Sequence, residues 1–443
     1  MTRYQQGETE PVDLADQDFL RDPFSAYARI RERAAMVRGI LPGTEPWWIA
    51  TRYEDVRALM KDPRFVNNAA NVPGVPPRPG IDRRRLAGGV PADYLKYLQA
   101  GMPGLDGADH ERVRRLVAGA FTARRVAGLR PRIEAVVGAL LDRLPDAADS
   151  GVVDLLAHFA YPLPLTVICE LVGVPEADRG RWREWSARLS AGAGDAVVGM
   201  VDYTHALVER RRSAPRDDLV SALVRARDAD GDGDRLSDTE LVTLVLSLVV
   251  AGHESSAHLI GNGIAALLAH PDQLSLLRTR PELLPDAVDE LLRWCGPVVA
   301  AFNRYATQDV AFGGVTVRRG ESVLPAVVAA NHDPRRFRAP EALDIRRETG
   351  SRREAHLGFG HGPHYCLGAP LARLEGEVAL GALWDRFPDL ALAVAPGELR
   401  RVPMNGAWRL VSLPVRISGG SPPAAAPANA TSAATSAASG VPE

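Results

Sequence analysis

A glycine-rich segment near the end of the chain holds the residues best suited to metal chemistry. It reads FGHGPHYCLG from Phe359 to Gly368, and apolar residues at helical spacing follow, so Cys366 falls at the predicted N-terminus of a helix. Free backbone N–H groups and the helix dipole stabilise a thiolate there and lower its pKa. Glycines let the backbone approach a flat ligand closely. We therefore expect Cys366 to bind a metal as a thiolate.

Two other chemistries could use the same segment. His361, His364 and Cys366 could be three ligands of a zinc ion, or Cys366 could be the nucleophile of a hydrolase. Neither alternative accounts for the other motifs along the chain.

A long apolar helix is interrupted by polar residues in its middle. Ser237 and Glu240 form a capping box before LVTLVLSLVV, and helical spacing continues to His270, ahead of a proline. The central segment AGHESS, residues 251–256, places a glycine, a carboxylate and two hydroxyls in this apolar setting. Such residues are locally unfavourable in a buried helix, so the segment predicts a functional site.

The elements that must position these residues are mainly helices. Strand-like runs are short and occur near Trp47–Arg52, Asp309–Val327 and the end of the ordered sequence. The Pro/Gly-rich stretch 65–106 is long for a connection and predicts a lid over a binding site, or else a mobile surface loop. Helical spacing recurs in residues 109–121, 131–144, 155–171 and 286–294.

Composition is that of a globular protein of 443 residues, 46% hydrophobic and 24% charged. A net charge of −2 does not favour nucleic acid or an anionic membrane as partner. Arginine supplies almost all basic residues, Lys61 and Lys96 excepted, which suggests a GC-rich genome. Three scattered cysteines and a polar N-terminus without a signal-peptide pattern predict a cytoplasmic protein. The most apolar run, Leu241–Gly252, is short of the roughly 20 residues that span a bilayer.

The cysteine segment resembles the heme-binding signature of the cytochrome P-450 family, F-G-x-G-x-x-x-C-x-G. Phe359, Gly360, Gly362, Cys366 and Gly368 meet every fixed position. The resemblance implies heme b (iron protoporphyrin IX) with Cys366 as its axial thiolate ligand. It also implies a mainly α fold with a small β-rich lobe, a single triangular domain over residues 18–417. A flexible N-terminus (1–17) and a disordered tail (418–443) would flank that domain.

The pair Glu290 and Arg293 is similar to the family's Glu-x-x-Arg motif. The two residues lie three apart, so they share one helix face, and alone they would be typical of a solvated surface pair. Their place before the cysteine segment implies a buried structural pair, which Arg347 completes.

The segment Ala251-Gly252-His253-Glu254-Ser255 is similar to the family's oxygen-activation motif. The resemblance implies that Ala251 and Gly252 leave room for dioxygen, while Glu254 and Ser255 relay protons to it. Serine replaces the usual threonine, which keeps the hydroxyl and removes a methyl group.

Four cationic residues are similar in position to those that bind the heme propionates in this family. They are His110 and Arg114, four apart on one helix, with Arg304 and His364. Each alone is typical of surface charge; together they imply an anion site.

The resemblance implies a monooxygenase that hydroxylates a C–H bond or epoxidises an alkene. The details around residue 251 are similar to actinobacterial members that tailor polyketides and macrolides, as in antibiotic biosynthesis. Terpenes, steroids, fatty acids and peptides stay open as substrates. We expect the hydrophobic substrate pocket to include Ser247, Val250, Ala251, Ala300 and Phe302, in a monomer.

No flavin or nicotinamide signature occurs in the sequence, so electrons must come from NAD(P)H through a separate ferredoxin reductase and ferredoxin. Four arginines could form a basic face for that ferredoxin or an ordinary solvated surface: Arg112, Arg115, Arg124 and Arg125. Two other functions use the same ligand. One is a non-catalytic heme-thiolate sensor or carrier; the other is a peroxide-using fatty-acid hydroxylase, which Glu254 and Ser255 argue against.

Overall fold

The computed structural model describes residues 10–42, 44–75, 85–99, 101–190, 192–228, 236–347, 356–402 and 406–417. Its α-helices are α1 Gln17–Arg21, α2 Pro23–Arg33, α3 Tyr53–Leu59, α4 Leu95–Gln99, α5 Gly107–Ala118, α6 Ala123–Gly128, α7 Arg130–Asp142, α8 Leu144–Ala147, α9 Pro162–Val172, α10 Arg179–Ser190, α11 Ala196–Ser213, α12 Leu219–Asp228, α13 Asp238–Ala269, α14 Pro271–Thr279, α15 Leu284–Cys295, α16 Val327–Asn331 and α17 Ala369–Arg386. Its strands are β1 Val12–Asp13, β2 Met36–Ile40, β3 Trp47–Ala50, β4 Phe65–Val66, β5 Val152–Asp154, β6 Arg304–Ala306, β7 Val310–Phe312, β8 Val315–Val317, β9 Ser322–Pro325, β10 Ala391–Leu392 and β11 Pro414–Arg416.

Helix α13 is the axis of the main core. It begins with the predicted capping box, in which Ser237 Oγ accepts from the Glu240 N–H at 3.1 Å and the Glu240 carboxylate accepts from the Ser237 N–H at 2.7 Å. It packs against α9, α11, α15 and α17. It is long and apolar enough to cross a membrane, but most of its apolar side chains are buried within the protein. We therefore describe α13 as a core helix.

The strands form small sheets beside this helical body. The largest has the order β1-β2-β3-β9-β6-β4, in which β3 pairs with β9 in parallel and β6 pairs antiparallel with both β9 and β4. An apolar cluster of its own, including Trp48, Tyr53 and Phe337, lies against this sheet. The expectation of a mainly α fold with a small β-rich lobe is confirmed.

Residues 10–17, part of the N-terminal segment expected to be flexible, lie against the largest sheet. Strand β1 pairs in parallel with β2, Val12 opposite Gly39, and the Leu14 side chain is buried. Burial of that leucine stabilises the segment on the sheet. Residues 1–9, the tail 418–443 and residues 76–84 of the expected lid lie outside the described residues.

A buried ion network fixes α15 to the loop that precedes the cysteine segment. Arg293 donates to both carboxylate oxygens of Glu290, at 2.7 and 2.8 Å, and to the carbonyls of Asn331 and Pro340. Arg347 donates to Glu290 at 3.1 Å and to the Ala342 carbonyl at 3.0 Å. The structure thus brings together the three residues expected to form the structural network.

Candidate active site

The cysteine segment is a tight loop that leads into α17. The Cys366 N–H donates to the Phe359 carbonyl at 2.8 Å, and the Tyr365 N–H donates to the Gly362 carbonyl at 3.0 Å. Gly360 and Gly362 have φ of +75° and +73°, in the left-handed region that side chains disfavour. A Cβ at Gly362 would also lie 3.0 Å from the Met60 carbonyl oxygen and from Lys61 Cβ. Glycine is therefore required for both the turn and this close approach.

Cys366 is accessible, and it stands one turn before the buried part of α17. Although the residue is accessible to solvent, the protein around its sulfur partly desolvates it and raises the pKa of the thiol, against the opposing effects of the Gly368 and Ala369 backbone N–H groups and of Arg114 and Arg373. The N–H groups of the helix N-terminus lower the pKa of the thiol as expected, but desolvation has the larger effect, so the net pKa is raised in the metal-free thiol. Desolvation outweighs the helix, so deprotonation must accompany metal binding.

An arginine that the sequence analysis missed supports this loop from α17. Arg373 donates to Asp289 at 2.7 Å, and its guanidinium lies 4.6 Å above the centre of the Phe359 ring. His356 also contacts Asp289, at 3.4 Å. Asp289 lies far away in the sequence, on α15, so no local pattern indicates the contact.

The four expected anion-binding residues form one cluster. The His110 and His364 rings stack at 3.9 Å, and Arg114 donates to the Tyr365 carbonyl at 2.7 Å. Burial and then the nearby charges of His110, Arg304 and Arg114 lower the pKa of His364 to about 3. Burial lowers the pKa of Arg304 to about 10. Four basic groups thus lie close together, and the Asp106 carboxylate, which acts to raise the pKa of Arg304 and of His110, only partly offsets their charge.

Asn67 fixes the tautomer of His364. Its side-chain nitrogen donates to the Pro103 carbonyl at 2.8 Å, which sets the orientation of the amide, because a carbonyl can only accept. The same nitrogen lies 2.9 Å from His364 Nε2, which must therefore accept. His364 is neutral with its proton on Nδ1, instead of the imidazolium we expected.

These residues fit heme b. The buried Nε2 of His110 has no hydrogen-bond partner among the described residues, so it is available to a further acceptor or donor. A porphyrin with two carboxylates suits the basic cluster, and a thiol at the head of a glycine-lined loop suits its iron. By contrast, the described residues contain no group of three or more His, Cys, Asp or Glu side chains able to hold a metal ion. The zinc interpretation of His361, His364 and Cys366 is therefore wrong.

One face of α13 remains accessible along its middle turns. Ser247, Ala251 and Ser255 are each four residues apart, so they share that face, and Ala251 and Ser255 are exposed. Ser255 Oγ donates to the Ala251 carbonyl at 3.1 Å, which leaves its oxygen able to accept. Val250, another expected pocket residue, packs against the main core.

Gly252 serves helix packing. A Cβ at this position would lie 2.8 Å from Ile168 Cγ1 on α9. The lack of a side chain at Gly252 is therefore needed for packing, and of the two small residues expected to leave room for dioxygen, Ala251 is the one on the accessible face.

Glu254 points away from that accessible face. Its Oε2 lies 2.7 Å from Nη1 of Arg409, and both side chains are largely sheltered. Arg409 lies far along the chain without a motif of its own, so no pattern in the sequence indicates this contact.

A second carboxylate near the same turns was also missed. Glu375 on α17 is completely buried, and burial raises its pKa to about 8, against the opposing effect of the Ser256 hydroxyl. No hydrogen bond of ordinary geometry satisfies its oxygens among the described residues. Glu375 therefore carries a proton at neutral pH. The apolar periodicity of α17 places Glu375 on the buried face of the helix, and this pattern could have indicated a buried carboxylate.

The other expected pocket residues lie between α15 and β6. Phe302 is 68% exposed, an unusual state for a large aromatic side chain, and Ala300 is partly buried. The Val299 N–H donates to the Gly406 carbonyl at 3.0 Å, which connects this wall to the C-terminal segment.

The expected basic face is smaller than the sequence suggested. Arg112 forms an ion pair with Glu240 at the start of α13 and is mostly buried, so it contributes little to an exposed basic face. Arg115, Arg124 and Arg125 are exposed.

Comparison with known proteins agrees with this geometry. The model of the family described as "Cytochrome P450" matches residues 188–279 and 275–388. Cytochrome P450 107B1 of Saccharopolyspora erythraea is 43% identical over 93% of this chain and 98% of its own length. The 6-deoxyerythronolide B hydroxylase of the same organism is 41% identical over 93% of this chain and 100% of its own. The tirandamycin C-bound P450 monooxygenase TamI is 40% identical, with a TM-score of 0.81 over 92% of this chain and 100% of that one. The chain therefore belongs to the cytochrome P450 family, and it is a heme-thiolate monooxygenase.

Proposed function

We propose that this monooxygenase hydroxylates or epoxidises a polyketide or macrolide in secondary metabolism. The observation that carries the proposal is the full-length likeness to an enzyme named for a macrolide precursor, the 6-deoxyerythronolide B hydroxylase. The accessible face of α13, with Ala251 and Ser255, and the exposed Phe302 are consistent with a roomy apolar pocket.

Heme, when bound to Cys366, supplies the iron at which dioxygen is reduced and one oxygen atom is transferred. His110, Arg114, Arg304 and the Nδ1–H of His364 would hold its carboxylates. The thiol of Cys366 gives up its proton on binding, because only the thiolate is a ligand.

Two carboxylates of the chain would handle protons beside the oxygen site. Glu254 and Ser255 would pass protons from solvent, since Ser255 Oγ lies on the accessible face and can accept. Glu375 holds a proton inside the protein next to Ser256 and could return one to the same turns of α13.

Electrons would come from NAD(P)H through a ferredoxin reductase and a ferredoxin. The exposed arginines Arg115, Arg124 and Arg125 would attract an acidic ferredoxin. We further propose that the protein works in the cytoplasm as a monomer.

The first test is thiolate ligation. Reduced heme-loaded protein with carbon monoxide should show the strongly red-shifted Soret band of a thiolate-ligated iron, and Cys366→His should lose it. Retention of the band in Cys366→His, with loss in Cys169→Ser or Cys295→Ser, would contradict the ligand assignment.

The second test is the substrate class. Titration with 6-deoxyerythronolide B, tirandamycin C, vitamin D3 and myristic acid should give the largest low-spin to high-spin shift with one of the first two. Product should then form with NAD(P)H, a plant-type ferredoxin and its reductase. Product with myristic acid and hydrogen peroxide alone would favour the peroxide-using hydroxylase. Heme binding without productive reductant use for any compound would favour the sensor or carrier.

A further inference from the structure

Arg409 is connected to the oxygen site through Glu254. Its Nη1 lies 2.7 Å from Glu254 Oε2, and the side chains are 23% and 16% exposed respectively. In this setting the ion pair is screened less than a surface pair, so it can hold the carboxylate in one orientation.

The backbone that carries Arg409 is held on both sides. The Arg409 carbonyl accepts from the Val402 N–H at 2.9 Å, and the N–H of the preceding Trp408 donates to the Pro297 carbonyl at 2.7 Å. Asn262 on α13 donates to the Trp408 carbonyl at 3.0 Å and accepts from Arg401 at 2.9 Å. The guanidinium therefore reaches Glu254 from a fixed support.

The contacts form a polar strip on one face of α13. Glu254, His258 and Asn262 are four residues apart, and each meets a partner from outside the helix. His258 contacts the Tyr161 hydroxyl at 3.0 Å, while the C-terminal segment supplies Arg409 for Glu254 and Arg401 for Asn262. Arg401 therefore supports Arg409 indirectly, through Asn262 and the Trp408 carbonyl.

The same segment also touches the expected pocket wall. Gly406 accepts from the Val299 N–H at 3.0 Å, and Ala407 pairs with Val298. Substrate that presses on this wall would act on the backbone next to Arg409. A guanidinium does not release its proton at working pH, so Arg409 can orient a proton carrier but cannot be one.

We propose that Arg409 is a positioning residue: it holds the Glu254 carboxylate in the orientation from which Glu254 serves the oxygen site, and it links that orientation to the substrate-pocket wall. This inference rests on the proposed proton-relay role of Glu254.

The first experiment is structural. Crystal structures of heme-loaded wild type, Arg409→Gln and Arg38→Gln should show a changed Glu254 rotamer in Arg409→Gln alone. An unchanged Glu254 rotamer in Arg409→Gln would overturn the proposal.

The second experiment is a double-mutant cycle with Glu254→Gln, Arg409→Gln and the pair. The substrate is the compound of the four-member panel that gives the largest spin-state shift. The measurements are product, peroxide, NAD(P)H consumption and the solvent deuterium isotope effect on oxygen consumption. Arg409→Gln should reduce product per NAD(P)H about threefold or more, since a misplacement of about 1 Å can cost up to roughly 100-fold. It should add nothing in the Glu254→Gln background.

Arg409→Lys keeps the charge and should restore most of the coupling, and it serves if Arg409→Gln folds poorly. Arg38→Gln is the matched control, because it removes an ion pair with Glu321 of similar length and shelter in the β-rich lobe, and it should leave the isotope effect unchanged. Additive effects of Arg409→Gln and Glu254→Gln would show that Arg409 acts elsewhere and overturn the inference. If Glu254→Gln itself leaves turnover unchanged, the proton role of Glu254 is what fails.

Discussion

At the scale of single residues, Ser255 is the most direct test of proton handling. Ser255→Ala should still bind heme and substrate, but product per NAD(P)H should fall and hydrogen peroxide should rise, because a hydroxyl that can accept is lost from the accessible face of α13. Ser255→Thr should couple at least as well as wild type, since the added methyl restricts χ1. Product, peroxide and NAD(P)H are measured together. Full coupling in Ser255→Ala would assign the proton to another group, such as Ser256.

Glu375 makes a separate prediction about pH and stability. Burial raises its pKa from 4.5 to about 8, so the folded protein binds one proton more than the unfolded chain between these values. Its contribution to stability is full below pH 4.5 and is lost as pH rises to about 8, at about 1.4 kcal/mol per pKa unit. Glu375→Gln should remove that loss.

The measurement is the Tm of heme-loaded wild type and Glu375→Gln at several pH values from 5 to 8. The difference between the two proteins isolates Glu375, because His258 and His332, whose pKa burial lowers to about 3, are present in both. A Tm difference that does not change with pH would contradict a raised pKa for Glu375.

The sequence predicted the residues that belong to a motif, and it missed their partners. Cys366, Glu290 and the basic cluster were identified because they match motifs and positions of the family that the sequence resembles. Arg409 reaches Glu254 across 155 positions and Asn67 reaches His364 across 297, distances at which a single sequence carries no contact signal. The net direction of the Cys366 pKa shift could not be predicted, because desolvation depends on the whole fold and outweighs the lowering effect of the local helix terminus.

At the scale of elements, the contact between α9 and α13 distinguishes two roles of small residues: Gly252 allows the helices to pack closely, and Ala251 keeps the accessible face open. Gly252→Ala places a Cβ 2.8 Å from Ile168 Cγ1, and overpacking of this kind costs about 1–3 kcal/mol, more than the roughly 1 kcal/mol that alanine gains in helix propensity. Gly252→Ala should therefore lower the Tm. In an Ile168→Ala background it should raise the Tm, because the clash is gone.

Ala251→Val is the matched control on the next residue. Ala251 is exposed on the accessible face, so the larger side chain should leave the Tm nearly unchanged and slow carbon monoxide binding to the reduced heme. A lower Tm in Ala251→Val, or slowed carbon monoxide binding in Gly252→Ala, would reverse these assignments.

Helix boundaries were predictable where a side chain marks them. The capping box predicted the start of α13 and the proline after His270 its end, and both are confirmed. The region 155–171 was read as a continuous helix, but residues Leu156–Ala160 form a π-helical turn before α9. The spacing of apolar residues is nearly the same in an α-helix and in a turn with one extra residue, so it could not predict the π-helical turn.

At the scale of the whole molecule, the Glu290 network joins the helical body to the loop before the cysteine. Glu290→Ala leaves the fully buried Arg293 without its carboxylate and should lower the free energy of unfolding by about 3–5 kcal/mol. Arg347→Ala should lower it less, because Arg293 keeps its partner and Arg347 is 11% exposed.

Denaturant unfolding of both variants checks this order. The control is Asp18→Ala, which removes an exposed ion pair with Arg21 at the same three-residue spacing and should change stability by no more than about 1 kcal/mol. A Glu290→Ala variant as stable as Asp18→Ala would contradict a structural role for the network.

The chain has few lysines, and one of them, Lys61, lies close to Gly362 in the cysteine loop. A cross-link formed at Lys61 would therefore identify a partner bound over this loop. Apart from the amino terminus, Lys61 and Lys96 are the only primary amines of the chain, and both are exposed. Lys61 lies against the cysteine loop, whereas Lys96 is on α4. A carbodiimide joins carboxylates directly to amines, without a spacer. Mass spectrometry of the two lysine-containing peptides would therefore show where an acidic electron donor binds. A donor that docks over the cysteine loop should be recovered on Lys61, and a donor that is recovered only on Lys96 must approach from another side.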